Sequence, residues 1–85
     1  MHLYFINGSK QEKKLATSDY IEDLFDVMLE FFESHQRFPH FLHTNLLVDK
    51  IEIRFESPCE YFVILKATSQ HLDELQQLIS LEFTH

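Results

Sequence analysis

Three of the chain's six histidines lie in the nine-residue stretch HQRFPHFLH, which starts at His35, and imidazole is a common ligand of zinc and other transition metals. His40 and His43 are three residues apart, so two rings share one side of a helix if Pro39 begins one. A zinc site needs a third ligand and usually a fourth, from His35, an acid or Cys59. No CxxC, HExxH or HxH motif supplies them, so metal binding is the weaker interpretation and we predict no metal ligands.

A second group of reactive residues is acidic and follows the period of a helix. Its members are Asp19, Glu22, Asp23, Asp26, Glu30 and Glu33. On a helix they fall within about 100° of arc, and residues 19–33 contain no Lys or Arg. Like charges three or four residues apart would cost such a helix about 1–3 kcal/mol in all. The stripe is either a solvated face that keeps the protein soluble or a docking surface for a basic protein.

Catalysis is not predicted for these residues. A pair of catalytic carboxylates needs burial to separate their pKa values, which one exposed helix face does not provide. The single Gly excludes the glycine-rich loops that hold phosphates and dinucleotides. Cys59 stands next to Glu60, an environment that does not favour a thiolate, and no serine lies in a nucleophile-elbow motif. We therefore expect a non-enzymatic protein with no catalytic residues and no cofactor.

Composition narrows the classes of partner and compartment. The 85 residues predict one domain, 1–85, and the nine Phe and three Tyr are sufficient for a dense core. The net charge of −7 disfavours nucleic acid and favours a basic protein surface. The longest apolar run, YFVIL at 61–65, is too short to span a membrane. A lone cysteine suits a reducing compartment, so we predict a cytoplasmic protein without membrane or nucleic-acid partners.

Alternating apolar and polar residues predict the strands. HLYFI at 2–6 runs into Asn7-Gly8, a hairpin signal because both residues tolerate positive φ, and the partner strand should lie within 10–16. DKIEIRFE at 49–56 alternates strictly, as a half-buried strand does. EYFVILKA at 60–67 is apolar on both faces and should be central in the sheet.

Helical spacing predicts one helix over 19–33, with Asp19 and Glu22 placed as a capping box, and a second over 70–82. ATSDYIEDL at 16–24 and ATSQHLDEL at 67–75 resemble each other. Either the chain contains a duplicated ββα unit or two helices that follow strands use similar starts.

The connection at 36–49 is unusually apolar. Its large apolar residues are Phe38, Phe41, Leu42, Leu46, Leu47 and Val48. A segment of this composition must pack against something. We predict a lid over the second face of the sheet, with a dimer interface or a partner groove as alternatives, centred on Phe38, Phe41 and Leu42.

The sequence thus predicts an α+β fold: an antiparallel sheet of three to four strands with two helices on one face, in the order β(β)α–lid–ββα. The expected function is a protein-interaction module of the inhibitor, immunity, antitoxin or adaptor type, with the acidic helix face as its binding surface. The alternative is a small homodimeric domain that binds a ligand or metal through the His- and Phe-rich segment 35–48.

Overall fold

A computed structural model of the chain describes residues 1–35, 43–55 and 59–83. The elements follow the order ββαβββα. They are β1 (His2–Ile6), β2 (Glu12–Thr17), α1 (Ile21–Ser34), β3 (His43–Leu47), β4 (Lys50–Arg54), β5 (Tyr61–Leu65) and α2 (Ser69–Phe83). The α+β class is confirmed.

The five strands form one antiparallel sheet in the order β2-β1-β5-β4-β3. The predicted count of three to four strands is therefore wrong. The missed strand is β3, whose sequence HTNLL we assigned to the lid, because only its pairing with β4 gives these residues a strand partner. A two-residue turn at Val48 and Asp49 joins the two strands. Asp49 has a φ of 59°, a conformation that Asp tolerates better than most residues. As predicted, β5 is central.

One side of the sheet carries the core. Leu3 and Phe5 of β1, Ile51 and Ile53 of β4, and Phe62 of β5 are at most 9% exposed and form one cluster with buried residues of both helices. Both helices therefore pack on this side, as expected. The α1 residues in the cluster are Ile21, Leu24, Phe25, Met28 and Phe32.

Phe62 is at the centre of an aromatic cluster within that core. Its ring centroid lies 5.5 Å from that of Phe5, 5.3 Å from Phe31, 5.5 Å from Phe32 and 5.6 Å from Phe55. The contacts are tilted or edge-to-face, which are the favourable geometries for aromatic pairs. These rings join α1 to three strands, because Phe55 directly follows β4.

The β1–β2 hairpin forms where the sequence predicts it, but by a different mechanism. Neither Asn7 nor Gly8 has a positive φ; the residue that does is Lys10, at 60°. The Asn7 side-chain oxygen accepts hydrogen bonds from the backbone N–H groups of Ser9 (2.9 Å) and Gln11 (3.0 Å). Asn7 thus stabilises the turn through its side chain.

Replacing Lys10 with Gly should raise the free energy of unfolding by about 0.5–1 kcal/mol. A residue with a Cβ is disfavoured at this φ by about 1–2 kcal/mol, and the greater flexibility of Gly in the unfolded chain offsets part of the gain. Urea unfolding followed by circular dichroism measures the change. Lys13→Gly, with the same loss of charge inside β2, should instead lower the stability. Equal destabilisation by both variants would contradict the role of the φ angle.

The start of α1 differs from the predicted capping box. The helix begins at Ile21, and Asp19 lies before it. The Ser18 hydroxyl accepts the backbone N–H of Tyr20 at 3.0 Å and donates to the Asp23 carboxylate at 2.7 Å. The predicted capping box of Asp19 and Glu22 is therefore wrong: Tyr20 is the N-cap residue, and its side chain makes no capping hydrogen bond.

The resemblance between residues 16–24 and 67–75 suggests two ββα units, and these lie side by side in the sheet. In the sheet the β2-β1 hairpin is followed by the β5-β4 pair. Strand β1 runs in the same direction as β4, and β2 in the same direction as β5. In each unit a helix follows the second strand, β2 or β5. The first helix starts with Ser18 as described. In the second, the Thr68 N–H donates to His71 Nδ1 at 3.1 Å. The shared residues at the two starts thus make different hydrogen bonds.

Candidate protein-binding site

The acidic stripe of α1 faces solvent along its whole length. The core residues of α1 occupy the opposite side of the helix, so the acids must point outward. All six predicted residues are exposed: Asp19, Glu22, Asp23, Asp26, Glu30 and Glu33. Five lie in the helix, and Asp19 lies just before it.

No basic side chain neutralises this stripe among residues 1–35, 43–55 and 59–83. The one ion pair found there joins Arg54 to Glu52 in the sheet. Of the stripe, Asp23 hydrogen-bonds Ser18. The carboxylates of the other acids remain available to a partner.

The second helix extends the acidic surface. Asp73, Glu74 and Glu82 are exposed on α2, and neither helix contains a Lys or Arg. The cations of the described ranges are all in strands or turns: Lys10, Lys13, Lys14, Lys50, Arg54 and Lys66. The molecule is therefore polarised: the helical layer carries acids without Lys or Arg, whereas the sheet and its turns carry the cations together with Glu12, Asp49 and Glu52.

A shallow groove between α1 and α2 brings acids and apolar side chains together. Its wall residues are Ile21, Glu22, Glu74, Gln77, Leu78 and Leu81. Leu81 is 77% exposed, and Tyr20, next to the groove residue Ile21, is 64% exposed. We call this set of wall residues the helix groove. It offers an acid from each helix beside an apolar surface, a combination suited to a peptide segment that carries both basic and apolar residues.

Sequence reasoning missed the contribution of α2. The helix predicted over 70–82 is present as α2, and its Leu75 is fully buried. The exposed acids of α2 were not predicted to be part of the binding surface, because they are fewer and less regularly spaced than those of α1. The available signal was the absence of Lys and Arg from residue 67 to the end of the chain.

The predicted lid is only partly within the described residues. Phe38, Phe41 and Leu42 lie outside them, and their proposed packing remains a prediction. The remainder of the predicted lid forms β3 and its turn, so a lid over 36–49 is wrong for that part. Leu46 and Leu47 belong to the edge strand and are 37% and 38% exposed, and Val48 in the turn is 89% exposed.

Only part of the histidine-rich stretch 35–43 lies within the described residues. The His35 ring stacks on Phe31 at 4.1 Å, and its Nδ1 is 2.9 Å from the Phe31 carbonyl oxygen. His43 is exposed in β3, and His40 lies outside the described residues. Across the described part of the chain, no group of three His, Cys, Asp or Glu side chains is placed to hold a metal ion. His35 instead closes the end of α1.

The electrostatics of the sheet side differ from those of the helices. Partial burial of His2, together with the positive charges of Lys14, the Met1 amino group and Lys66, lowers the pKa of its imidazole below the ordinary value. His2 Nδ1 lies 3.1 Å from the Thr17 hydroxyl across the β1–β2 pair. A cationic environment at this point agrees with the polarisation described above.

No helix in the described ranges is long and apolar enough to cross a membrane. No protein-family model matches the chain, and no curated protein or solved structure is significantly similar to it. Its function is therefore inferred from the chemistry of its own surface.

Proposed function

We propose that this chain is a non-enzymatic protein-interaction module that binds a basic protein through its helical layer. The observation that carries the proposal is the charge separation: two neighbouring helices without a Lys or Arg, and cations confined to the strands and turns. A surface of one sign attracts an oppositely charged partner over several ångströms and speeds their encounter. An inhibitor, immunity protein, antitoxin or adaptor acts in this way. The single, exposed Cys59 suits a reducing compartment such as the cytoplasm.

The acidic stripe lowers the stability of α1 through repulsion between its carboxylates. Within α1 the like-charged neighbours are Glu22–Asp26, Asp23–Asp26, Asp26–Glu30 and Glu30–Glu33, which together cost about 1–2 kcal/mol. Glu22 and Asp23 recover part of this at the positive end of the helix. Glu33 lies at the negative end, where an acid is unfavourable. A basic partner that pairs with these acids would relieve the repulsion, so the arrangement fits a binding role.

The helix groove indicates the chemistry of the partner. Glu22 of α1 and Glu74 of α2 both line it, together with Leu78 and the exposed Leu81 of α2. A matching segment would place Lys or Arg side chains on either side of an apolar anchor. Charge pairs at an exposed rim mainly raise the association rate, whereas the apolar anchor supplies affinity.

The test is to use the purified protein as bait in a lysate of its source cell, with stepped salt elution and identification of the bound proteins. The variant Glu22→Lys/Asp26→Lys/Glu30→Lys should reduce capture of a basic partner by about 10- to 100-fold. The control Glu12→Lys/Asp49→Lys/Glu52→Lys makes the same change in net charge on the sheet side. It should retain the partner because the helical layer is unchanged, whatever its effect on contacts made by the sheet. Circular dichroism establishes that both variants fold.

Undiminished capture by the α1 variant would overturn the proposal. Equal loss with both variants would also overturn it, because the effect would then come from net charge and not from the helical layer. A partner retained by this surface should elute between low and moderate salt, since screening shortens the range of exposed charges.

A further inference from the structure

The side of the sheet opposite the helices, which we call the open face, has an ordered charge pattern. The strand pairing fixes which residues lie in line across it. In the first row, Lys14 pairs with Tyr4, Tyr4 with Val63, and Val63 with Glu52. Read from β2 to β4, the row is basic, aromatic, apolar and acidic.

The neighbouring row has the reverse charges. Glu12 pairs with Ile6, Ile6 with Tyr61, and Tyr61 with Arg54. The Arg54 guanidinium lies 4.3 Å from the centre of the Tyr61 ring, which places both on the open face. The two rows therefore share an apolar and aromatic centre, and the charges at their ends alternate in sign.

A bulge in β2 makes this alignment possible. The register between β1 and β2 shifts where Leu3 pairs with Ala16 and Tyr4 pairs with Lys14, leaving Leu15 without a counterpart. Leu15 packs against the core. Without the extra residue, Lys14 and Thr17 could not both lie on the open face, because side chains alternate along a regular strand.

This pattern is complementary to itself under two-fold symmetry. A two-fold axis parallel to the strands, between β1 and β5, places β2 of one copy opposite β4 of a second copy. Each row of one copy then faces the same row of the second copy, read in the opposite direction. Lys14 then faces Glu52 of the second copy, and Glu12 faces Arg54 of the second copy. Because Glu52 and Arg54 already form an ion pair within each chain, the second copy extends that pair into a network of four charges.

In the centre, Tyr4 lies over Val63 of the second copy and Tyr61 lies over Ile6. Because Ile6 and Val63 are only 6% and 9% exposed within one chain, the partly buried tyrosine rings supply most of the new contact.

We propose that the chain forms a homodimer by face-to-face packing of its open faces, which takes the dimer-interface alternative to the lid predicted from the sequence. Packed sheets lie about 10 Å apart with strand directions within about 30°, a rotation that moves facing residues near the edge by about 4 Å. Lys and Arg side chains are long enough to span that displacement. The acidic helical layers then lie on the two outer sides, far from each other, so the net charge of −7 per chain does not oppose the contact directly.

The other two-fold arrangement also opposes unlike charges. An axis perpendicular to the strands, midway between the two rows, would place Lys14 against Glu12 of the second copy and Glu52 against Arg54 of the second copy. The parallel axis also keeps a third row in the contact, formed by Thr17, His2, Leu65 and Lys50. The perpendicular axis would leave this third row unopposed, so the parallel axis buries more of the open face.

The proposal is tested by sedimentation equilibrium of the full chain from about 1 μM to 1 mM, which covers binding free energies of about −8 to −4 kcal/mol. The wild-type protein should reach twice the monomer mass. Lys14→Glu and Glu52→Lys should each raise the dissociation constant by about 10- to 100-fold, because each creates a like-charged pair twice in the symmetric dimer. The double variant, with both charges exchanged, should regain dimerisation.

Mixing the two single variants gives the most specific outcome. In the mixed dimer both contacts are again between opposite charges, so Lys14→Glu and Glu52→Lys proteins should associate with each other more tightly than either does with itself. Lys13→Glu makes the same charge change on the other side of β2 and should leave the dimer intact.

A monomer at every concentration would overturn the proposal. So would a dimer that Lys14→Glu does not weaken, because the contact would then be elsewhere, such as at edge strand β3. Equal effects of Lys13→Glu and Lys14→Glu, or a mixture that stays monomeric, would also overturn it.

Discussion

Phe62→Ala should lower the free energy of unfolding by about 3–5 kcal/mol, the usual cost of removing a fully buried phenylalanine. Phe62 is fully buried, and its ring meets four other aromatic rings from β1, α1 and the end of β4. Those rings belong to different elements of the fold. The shift of one side chain therefore cannot fill the cavity that the Phe62→Ala substitution leaves. A domain of this size has about 4–13 kcal/mol of stability in total.

Urea unfolding at equilibrium, followed by far-ultraviolet circular dichroism, measures this loss. Phe62→Leu retains most of the volume and should cost about 1–2 kcal/mol. Tyr61→Ala is the positional control, because Tyr61 is the neighbouring residue on the open face and is only partly buried. A loss in Tyr61→Ala as large as that in Phe62→Ala would show that the aromatic cluster is not the centre of the core.

Leu75→Ala should lower the free energy of unfolding by about 2–5 kcal/mol. Leu75 of α2 is completely buried in the common core. Because α2 supplies one wall of the helix groove, its loosening should also weaken capture of the basic partner. The same unfolding assay and the lysate capture assay measure the two effects.

Leu81→Ala provides the matched control on the same helix. Its side chain is 77% exposed, and a substitution at such a site changes stability by no more than about 0.5 kcal/mol. If Leu81 contacts the partner, Leu81→Ala should reduce capture without reducing stability. A large loss of stability in Leu81→Ala would mean that α2 packs differently from the description above.

The elements that depend on local pattern were predictable from the sequence. The buried face of α1, the alternation of β4 and the central place of β5 all follow from the spacing of apolar residues, and the structure agrees with each. The exposure of the six acids follows from the same spacing, because a helix with a continuous apolar face must turn the remaining residues to solvent. Local pattern also located the first hairpin, although the positive φ belongs to Lys10 and not to Asn7 or Gly8.

Features that depend on residues distant in sequence could not be predicted. Strand β3 has no alternation of its own and exists through its pairing with β4. The helix groove needs α1 and α2 to lie side by side, which brings Glu22 close to Glu74 across fifty residues of chain.

The sequence by itself determined the α+β class, the polarity of the first helix and the excess of acid over base. The tertiary structure decided where those charges lie relative to one another. Strand order and a single bulge bring Lys14 and Glu52 into one row at opposite sides of the sheet. The reason is physical: side-chain period is a property of one strand, whereas register is set by hydrogen bonds between strands.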